Sequence, residues 1–508
     1  MHCQVAGRCP RPNPANLAAM PAVGYLAMVL DEDTCYRAAR SRDARFDGRF
    51  FTAVKTTGIY CRPICPARTP LRQNVRFFAC AAAAEEAGFR PCRRCRPDAA
   101  PGTPAWNGPF ATVSRAVRLI ERGALDEGSV DELAGRLGVG GRQLRRLFAE
   151  HLGTSPLLVA RSRRAHFARA LLDATAWPMP QVAEEAGFRS LRRFNEVMQA
   201  VFKRTPGELR RRGGADGPSL TLRLAYRPPY DWAALVGFLG ARAIPEVEMV
   251  DAGAYRRTFE GGRLEVRPDR GNALSLTLTL SGRDPGQVLE IAGRVRRMFD
   301  LDADPLEIGA TLAADPLLGP SVRARPGLRL PGTWDPFETC VRAILGQQVS
   351  VRAATTLGGR LVGAFGACIP GAAGGLTHLF PAPEQLASAP LERIGLTRAR
   401  AESIRCVARS AQVLRERPES LDDLIDRLCS LPGVGPWTAH YLAMRAFGEA
   451  DAFPSGDLVL RKASRELSPA ALERRSAAWR PWRAYAAMHL WSSASLPLEP
   501  THDRAVAS

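Results

Sequence analysis

The sequence predicts a multidomain chain that is mainly α-helical with α+β parts. At 508 residues the chain exceeds what one hydrophobic core organises, so three or four domains are expected. Two Pro/Gly-rich breaks, at 101–104 and 213–218, divide it. Across those breaks the apolar spacing passes from irregular to helical, then to alternating, then to helical again.

Taken in order, residues 1–27 lack periodicity and read as an unstructured leader. The stretch 17–30 follows Arg8 and Arg11 and imitates a signal peptide, but Pro21 and Gly24 interrupt it. Residues 28–104 carry patterned cysteines and read as a small α/β domain. Residues 105–212 are helical throughout, and 213–220 form a linker. In 221–300 the stretches 219–226 and 273–280 alternate apolar with polar residues, which predicts an antiparallel sheet. Residues 301–500 read as all-α, followed by a tail at 501–508.

An apolar fraction of 46% with 24% charged residues selects folded domains over disorder. The net charge of +19 suits a polyanion. Only Lys55, Lys203 and Lys462 are lysines, so compositional bias toward arginine contributes, and local clustering must decide. No apolar run reaches the roughly 18–20 residues that span a bilayer, so no membrane partner is expected. Twelve cysteines are too sparse for a disulfide scaffold, which points to a reducing, cytoplasmic setting.

Cys61-Arg-Pro-Ile-Cys65 and Cys92-Arg-Arg-Cys95 are two close pairs separated by 26 residues. Each pair can offer two thiolates from one turn, and two pairs complete a tetrahedral shell, for which zinc is favoured. Arg62, Arg68, Arg72, Arg90, Arg93, Arg94 and Arg96 surround them and would draw the site to phosphate. A metal-held thiolate stays deprotonated and nucleophilic at neutral pH. These residues, with Thr56-Thr-Gly-Ile-Tyr60, Leu71-Arg-Gln-Asn-Val75 and Ala87-Gly-Phe-Arg-Pro91, resemble the N-terminal domain of the bacterial Ada family. The resemblance implies that Cys61 accepts a methyl group from a DNA methylphosphotriester, with Cys65, Cys92 and Cys95 as the other zinc ligands. Four thiolates around a +2 ion carry a formal charge of −2, and alkylating one leaves −1. Repulsion from DNA then falls, so repair becomes a signal.

Ser129-Val-Asp-Glu132 is a capping-box signature, and Gly138 and Gly141 separate two helices at helix-turn-helix spacing. Residues 130–139 are echoed 49 positions later at 179–188, giving Ala134, Gly138 and Leu144 the counterparts Ala183, Gly187 and Phe194. Recognition helices are expected to begin near 141 and 190, presenting Arg142, Gln143, Arg145, Arg192, Arg193 and Asn195 to DNA. Seven arginines against one acidic residue in 141–170 agree with this. The pair resembles the AraC-type regulator domain that follows the zinc module in Ada proteins. A full Ada continues into a methyltransferase with a Pro-Cys-His-Arg motif; none is present, so no O6-alkylguanine transfer is expected. Cys340, Cys368, Cys406 and Cys429 read as core fillers.

Leu431-Pro-Gly433-Val-Gly435 lies between helical stretches at 421–428 and 437–445. A Gly-rich turn between two helices exposes backbone N–H groups to a phosphate, and this is the helix-hairpin-helix pattern. About twenty residues on comes Asp457, whose bland role is a helix cap. Residues 230–239, 324–332, 343–350 and 479–491 resemble the bacterial AlkA-type 3-methyladenine glycosylases, over about 221–497. That resemblance makes Asp457 the catalytic carboxylate facing a cationic sugar. It makes Trp437, Tyr441 and Trp491 the walls of a flipped-base pocket, where aromatic faces suit a cationic alkylpurine. Trp437 stands where lyase-competent relatives carry a lysine, so a monofunctional enzyme is expected. Gln348 stands at the position of an apolar wedge. The carbonyls of Cys429, Leu431 and Gly433 are candidates for a monovalent cation.

The sequence therefore reads as a fusion: a zinc-bound α/β sensor, an all-α tandem helix-turn-helix activator, an antiparallel-sheet domain and an all-α helix-hairpin-helix glycosylase. Its expected partners are alkylated double-stranded DNA, promoter DNA and RNA polymerase, and the chain is expected to be a monomer, cytoplasmic and nucleoid-associated. The competing reading is an AraC-type regulator with a structural zinc and a non-catalytic DNA-binding half.

Overall fold

The computed structural model describes residues 31–97 except 93 and 96, 111–210 except 122 and 127, 219–281 except 272–274, 288–415 and 420–494. The expected leader, both Pro/Gly breaks and the tail lie outside the described residues, as do Arg93 and Arg96.

The first unit is a four-stranded sheet in the order Val75–Phe78, Phe51–Val54, Ile59–Cys61, Arg90–Pro91, flanked by the helices Glu32–Ser41 and Ala81–Glu86. A tight turn with Gly58 at φ +64° joins the two central strands. Strand Arg90–Pro91 runs parallel to Ile59–Cys61, and the Cys92 N–H donates to the Tyr60 carbonyl at 2.9 Å. That pairing sets the second cysteine pair beside the first.

Two helix-turn-helix units follow, Val130–Gly135 with Gly141–Leu152 and Met179–Glu185 with Leu191–Phe202, joined by the helix Pro156–Ala174. The capping box is formed: Ser129 Oγ accepts from Glu132 N, and Glu132 Oε2 accepts from Ser129 N at 2.7 Å. Gly138 and Gly187 turn at φ +67° and +78°, in the left-handed region glycine tolerates. Ala134, Leu144, Ala183 and Phe194 are buried, so the repeated pattern is a packing pattern.

Next comes a five-stranded antiparallel sheet, in the order Ser219–Ala225, Ser275–Ser281, Gly262–Pro268, Ala254–Phe259, Glu248–Asp251. The two strands expected from alternation pair with each other, and the meander 248–268 adds three that the sequence reading omitted. This sheet and the second helix-turn-helix unit share one apolar cluster that includes Phe194, Val201, Leu220 and Leu278.

Helices from Pro305–Leu312 to Arg483–Ala494 form the last unit around a core containing Leu361, Leu428, Leu442 and Trp479. A two-stranded hairpin, Cys368–Ala373 with Leu376–His378, interrupts the helices, with Gly374 and Gly375 both at positive φ. A buried ionic cluster ties this unit to the sheet: Arg257 and Arg342 each reach Glu338 at 2.8 Å, and Arg342 also reaches Glu248 at 2.8 Å. Burial disfavours ionised Glu248, but Arg342 and Arg257 more than offset it and hold its carboxyl down at about 2. No helix among the described residues is long and apolar enough to cross a membrane.

Candidate functional site

The sulfur ligand atoms of Cys61, Cys65, Cys92 and Cys95 all lie within 4.8 Å of one another. Four thiolates so close repel strongly unless a cation sits among them, and the all-sulfur set fits one Zn²⁺. Cys92 and Cys95 are buried, while Cys61 and Cys65 are partly exposed. The Arg62 N–H donates to Cys95 Sγ at 3.3 Å.

The arginines do not all face outward as expected. Arg62 is buried and paired with Asp47, its Nε donating at 2.9 Å, and it also donates to the Cys95 carbonyl. It fastens the ligand loop rather than meeting phosphate. Arg72 pairs with Glu32 and lies over the Phe77 ring. Arg68 and Arg94 are exposed. Next to the ligand Cys61, the Tyr60 hydroxyl donates to Glu85 at 2.8 Å and lies 3.2 Å from His166 Nε2, on the long helix between the helix-turn-helix units. The zinc unit is thus bonded to the unit that follows it, a contact that spans 106 residues and leaves no sequence signal.

Arg142, Gln143, Arg145, Arg192, Arg193 and Asn195 are all exposed on the helices Gly141–Leu152 and Leu191–Phe202. Arg192 and Arg193 pair with the exposed Glu196, and Arg145 lies 3.6 Å from Asp131. Such surface pairs are weak and leave the cations available to phosphate.

In the last unit, Gly433 and Gly435 are exposed on the turn between Leu421–Cys429 and Pro436–Arg445, anchored by buried Leu431 and Val434. Gly433 sits at φ +84° against Ser403, where a Cβ would come within 2.4 Å of Oγ. Its carbonyl accepts Gln347 Nε2 at 2.8 Å, and the Leu431 carbonyl accepts Val434 N. Each has one lone pair left for a cation. The Gln347 bond also pins the next turn beside the hairpin, where Gln348 projects, exposed, at φ +57°. Gln347 was missed by sequence reasoning, and its only signal was its place beside Gln348.

Asp457 caps the helix Leu458–Ser464, accepting Leu460 N on Oδ1 at 2.9 Å. The bland role is therefore real. The same carboxylate also accepts Trp437 Nε1 on Oδ2 at 2.9 Å and Trp491 Nε1 on Oδ1 at 3.2 Å. The loop that delivers it is fixed by Arg483, which reaches Asp451 at 2.9 Å, and by buried Phe453 against Trp479. Trp437 stacks on Tyr441 at 5.3 Å and 9°. Burial pushes the Tyr441 phenol up, but Arg445 and Arg242 more than reverse this and hold it below its usual value. Cation lies beneath the phenol and anion beside the indoles, so the three expected pocket residues and Asp457 form one polarised site.

Four family models match the chain. They are the metal binding domain of Ada at 34–98, a helix-turn-helix domain at 133–212, the AlkA N-terminal domain at 221–335, and the HhH-GPD superfamily of base excision DNA repair proteins at 341–481. A probable bifunctional transcriptional activator/DNA repair enzyme AlkA from Mycobacterium tuberculosis is 44% identical over 489 residues, covering 92% of this chain and 97% of its own. The chain belongs to this family of bifunctional activator and repair proteins. A DNA-3-methyladenine glycosylase 2 of Escherichia coli is 34% identical over 278 residues, covering 53% of this chain and 95% of its own. The bifunctional transcriptional activator/DNA repair enzyme Ada of the same organism is 39% identical over 130 residues, covering 26% of this chain and 35% of its own. The family member described here joins an Ada-like zinc module and a DNA-binding helix-turn-helix domain to an AlkA-type DNA glycosylase, and its four cysteines form the zinc site.

Proposed function

We propose that this chain handles alkylated DNA by two chemistries. In the glycosylase half, Asp457 stabilises the cationic sugar that develops as an alkylated purine such as 3-methyladenine departs, and water completes the hydrolysis. The observation that carries this reading is the clasp on Asp457: two indole N–H groups and a helix N-terminus fix one partly exposed carboxylate beside the Trp437–Tyr441 stack. A cationic base stacked there gains from the aromatic faces and from the carboxylate together. The enzyme is monofunctional, because the indole of Trp437 fills the position of a lyase amine and Lys462 is exposed on the capped helix.

In the zinc half, bound zinc holds its ligands as thiolates, and Cys61 is the methyl acceptor. Cys61 is partly exposed, whereas Cys92 and Cys95 are buried and Cys95 Sγ also accepts the Arg62 N–H. The Cys61 sulfur attacks the methyl carbon of a phosphotriester, the C–O bond breaks, and the phosphodiester leaves with the electron pair. The ligand set loses one negative charge, promoter DNA is bound more tightly through Arg142, Gln143, Arg145, Arg192, Arg193 and Asn195, and RNA polymerase is engaged. The chain acts as a monomer in the cytoplasm, on the nucleoid.

Single variants separate the chemistries. Cys61→Ser is expected to abolish methyl uptake and leave base excision intact, and Asp457→Asn to do the reverse. If either change abolished both, the halves would not be independent catalytic units and the assignment would fail.

A further inference from the structure

The cysteines outside the zinc cluster were expected to fill apolar space. Cys340 does: it is fully buried, and burial pushes its thiol up to about 12. Cys406 and Cys429 are only partly covered, and Cys368 is exposed. Cys368 begins the hairpin of the glycosylase unit, and His378, which ends it, is its direct cross-strand partner. Side chains of such a pair leave the same face of the ladder. Cys368 Sγ lies 3.1 Å from His378 Nε2. The other ring nitrogen, Nδ1, lies 2.9 Å from Glu246 Oε2 and 2.8 Å from Thr377 Oγ1.

A thiol, an imidazole and a carboxylate thus lie close together, at positions 368, 378 and 246, the carboxylate at ion-pair distance from the ring rather than hydrogen-bonded to it. The backbone fixes all three. The N–H groups of Thr377 and His378 donate to the Glu246 carbonyl at 2.9 and 3.2 Å. Leu379 N–H donates to the Ala367 carbonyl at 2.8 Å, and the Thr258 hydroxyl donates to the His378 carbonyl at 2.7 Å. His378 is 19% exposed while the thiol faces solvent, so the base is sheltered and the nucleophile reachable. The hairpin follows the far end of the helix Val351–Phe365, whose 15 residues set it roughly 22 Å from the Gln348 turn. It is separate from the site around Asp457.

The chemistry of this arrangement is nucleophilic. With the ring hydrogen on Nδ1, beside the Glu246 carboxylate and the Thr377 hydroxyl, Nε2 is free to accept and takes the thiol proton. We propose that Cys368 is a second alkyl-accepting thiol of this protein, reacting with small soft carbon electrophiles in solution rather than with DNA. Its sulfur attacks a saturated carbon bearing a halide or similar leaving group. The S–C bond forms as the bond to the leaving group breaks, the leaving group departs with the electron pair, and the proton passes to His378 Nε2 and then to water. The product is a neutral thioether, and the site reacts once.

The test uses the zinc-loaded full chain without DNA, limiting iodoacetamide, and peptide mass spectrometry to follow each cysteine with time; methyl iodide serves as the second probe. Cys406 is the internal reference, since its sulfur meets the Glu402 carboxylate and the Arg409 guanidinium. Cys368 is expected to react at least about tenfold faster than Cys406, a modest share of what a positioned base supplies. His378→Gln should bring the two rates together, Glu246→Gln should fall between, and Glu246→Asp should recover part of the loss. Excision of alkylated bases by these variants stays at the parental rate, which reports an intact fold. A parental ratio below tenfold overturns the proposal without recourse to any variant, and so does His378→Gln leaving the Cys368 rate unchanged.

Discussion

Replacing Asp457 with Asn keeps the side chain's shape and removes its charge. In the parent, Oδ1 accepts from Leu460 N and Trp491 Nε1, and Oδ2 accepts from Trp437 Nε1. An Asn with its oxygen on the cap side still starts the helix, because Asn and Asp cap equally well. Its amide then turns an N–H₂ toward the Trp437 N–H, and the lost hydrogen bond costs about 1–3 kcal/mol in local order. The larger effect is electrostatic. A carboxylate about 4 Å from a developing positive charge contributes about 4 kcal/mol at an effective dielectric of about 20. Solvent reaching the partly exposed carboxylate cuts that by up to half, which leaves a rate loss of about 30-fold to 10³-fold. Single-turnover release of alkylated base from methylated duplex DNA measures it, with Trp437→Phe as the companion: that variant keeps a ring over Tyr441, loses one donor and should lose about tenfold. Asp457→Asn within tenfold of the parent would refute the role assigned to the charge.

Three further outcomes are expected. Gly433→Ala places a Cβ in a left-handed conformation 2.4 Å from Ser403 Oγ, so the hairpin should lose about 1–3 kcal/mol of local stability and duplex affinity should fall about tenfold in a titration at fixed salt. Glu338→Ala leaves Arg257, 2% exposed, with Glu248 at 3.4 Å as its acidic partner among the described residues; unfolding of the glycosylase unit should be easier by about 3–5 kcal/mol in denaturant, whereas Arg257→Met with Glu338→Leu should recover most of the loss. His489, beside Ser321, is pushed down to about 4, by burial first and by Arg325 second. The unfolded chain therefore takes that proton first, so stability falls as pH drops from about 6.5 toward 4, by about 2 kcal/mol at pH 5. Buried Asp300, pushed up to about 6, acts in the opposite sense over about pH 4–6. It is common to the parent and to His489→Gln, so the difference between their melting curves at pH 7 and 5 isolates the histidine.

Much of the architecture was legible because its signals are local. Two cysteine pairs each fit within one turn, Ser129 and Glu132 cap each other across three residues, and the repeat 130–139 against 179–188 marks the same packing positions twice. Asp457 was legible as a distance from the hairpin, though its bonds to both indoles were not. What escaped the sequence depends on distant partners. The strands Glu248–Asp251 and Ala254–Phe259 exist through pairing and show no clean alternation, whereas Gly262–Pro268 does alternate, Leu264 and Val266 against Arg263, Glu265 and Arg267, a signal the sequence reading passed over. Arg62 looked like a phosphate ligand until Asp47 was found against it, and Tyr60 gave no hint of His166. Cys368 looked like filler because its partner His378 becomes a neighbour only when Gly374 and Gly375 turn the chain back; that Gly-Gly pair was the available hairpin signal.

The most direct measurement gives the zinc-loaded protein duplex DNA carrying labelled methyl groups on both phosphates and purines, and scores freed base and protein-bound label together. The account predicts both: free 3-methyladenine that accumulates beyond one equivalent, and label that stops at one methyl per chain on Cys61. Free base with no label on Cys61, or labelled Cys61 with no free base, would contradict it.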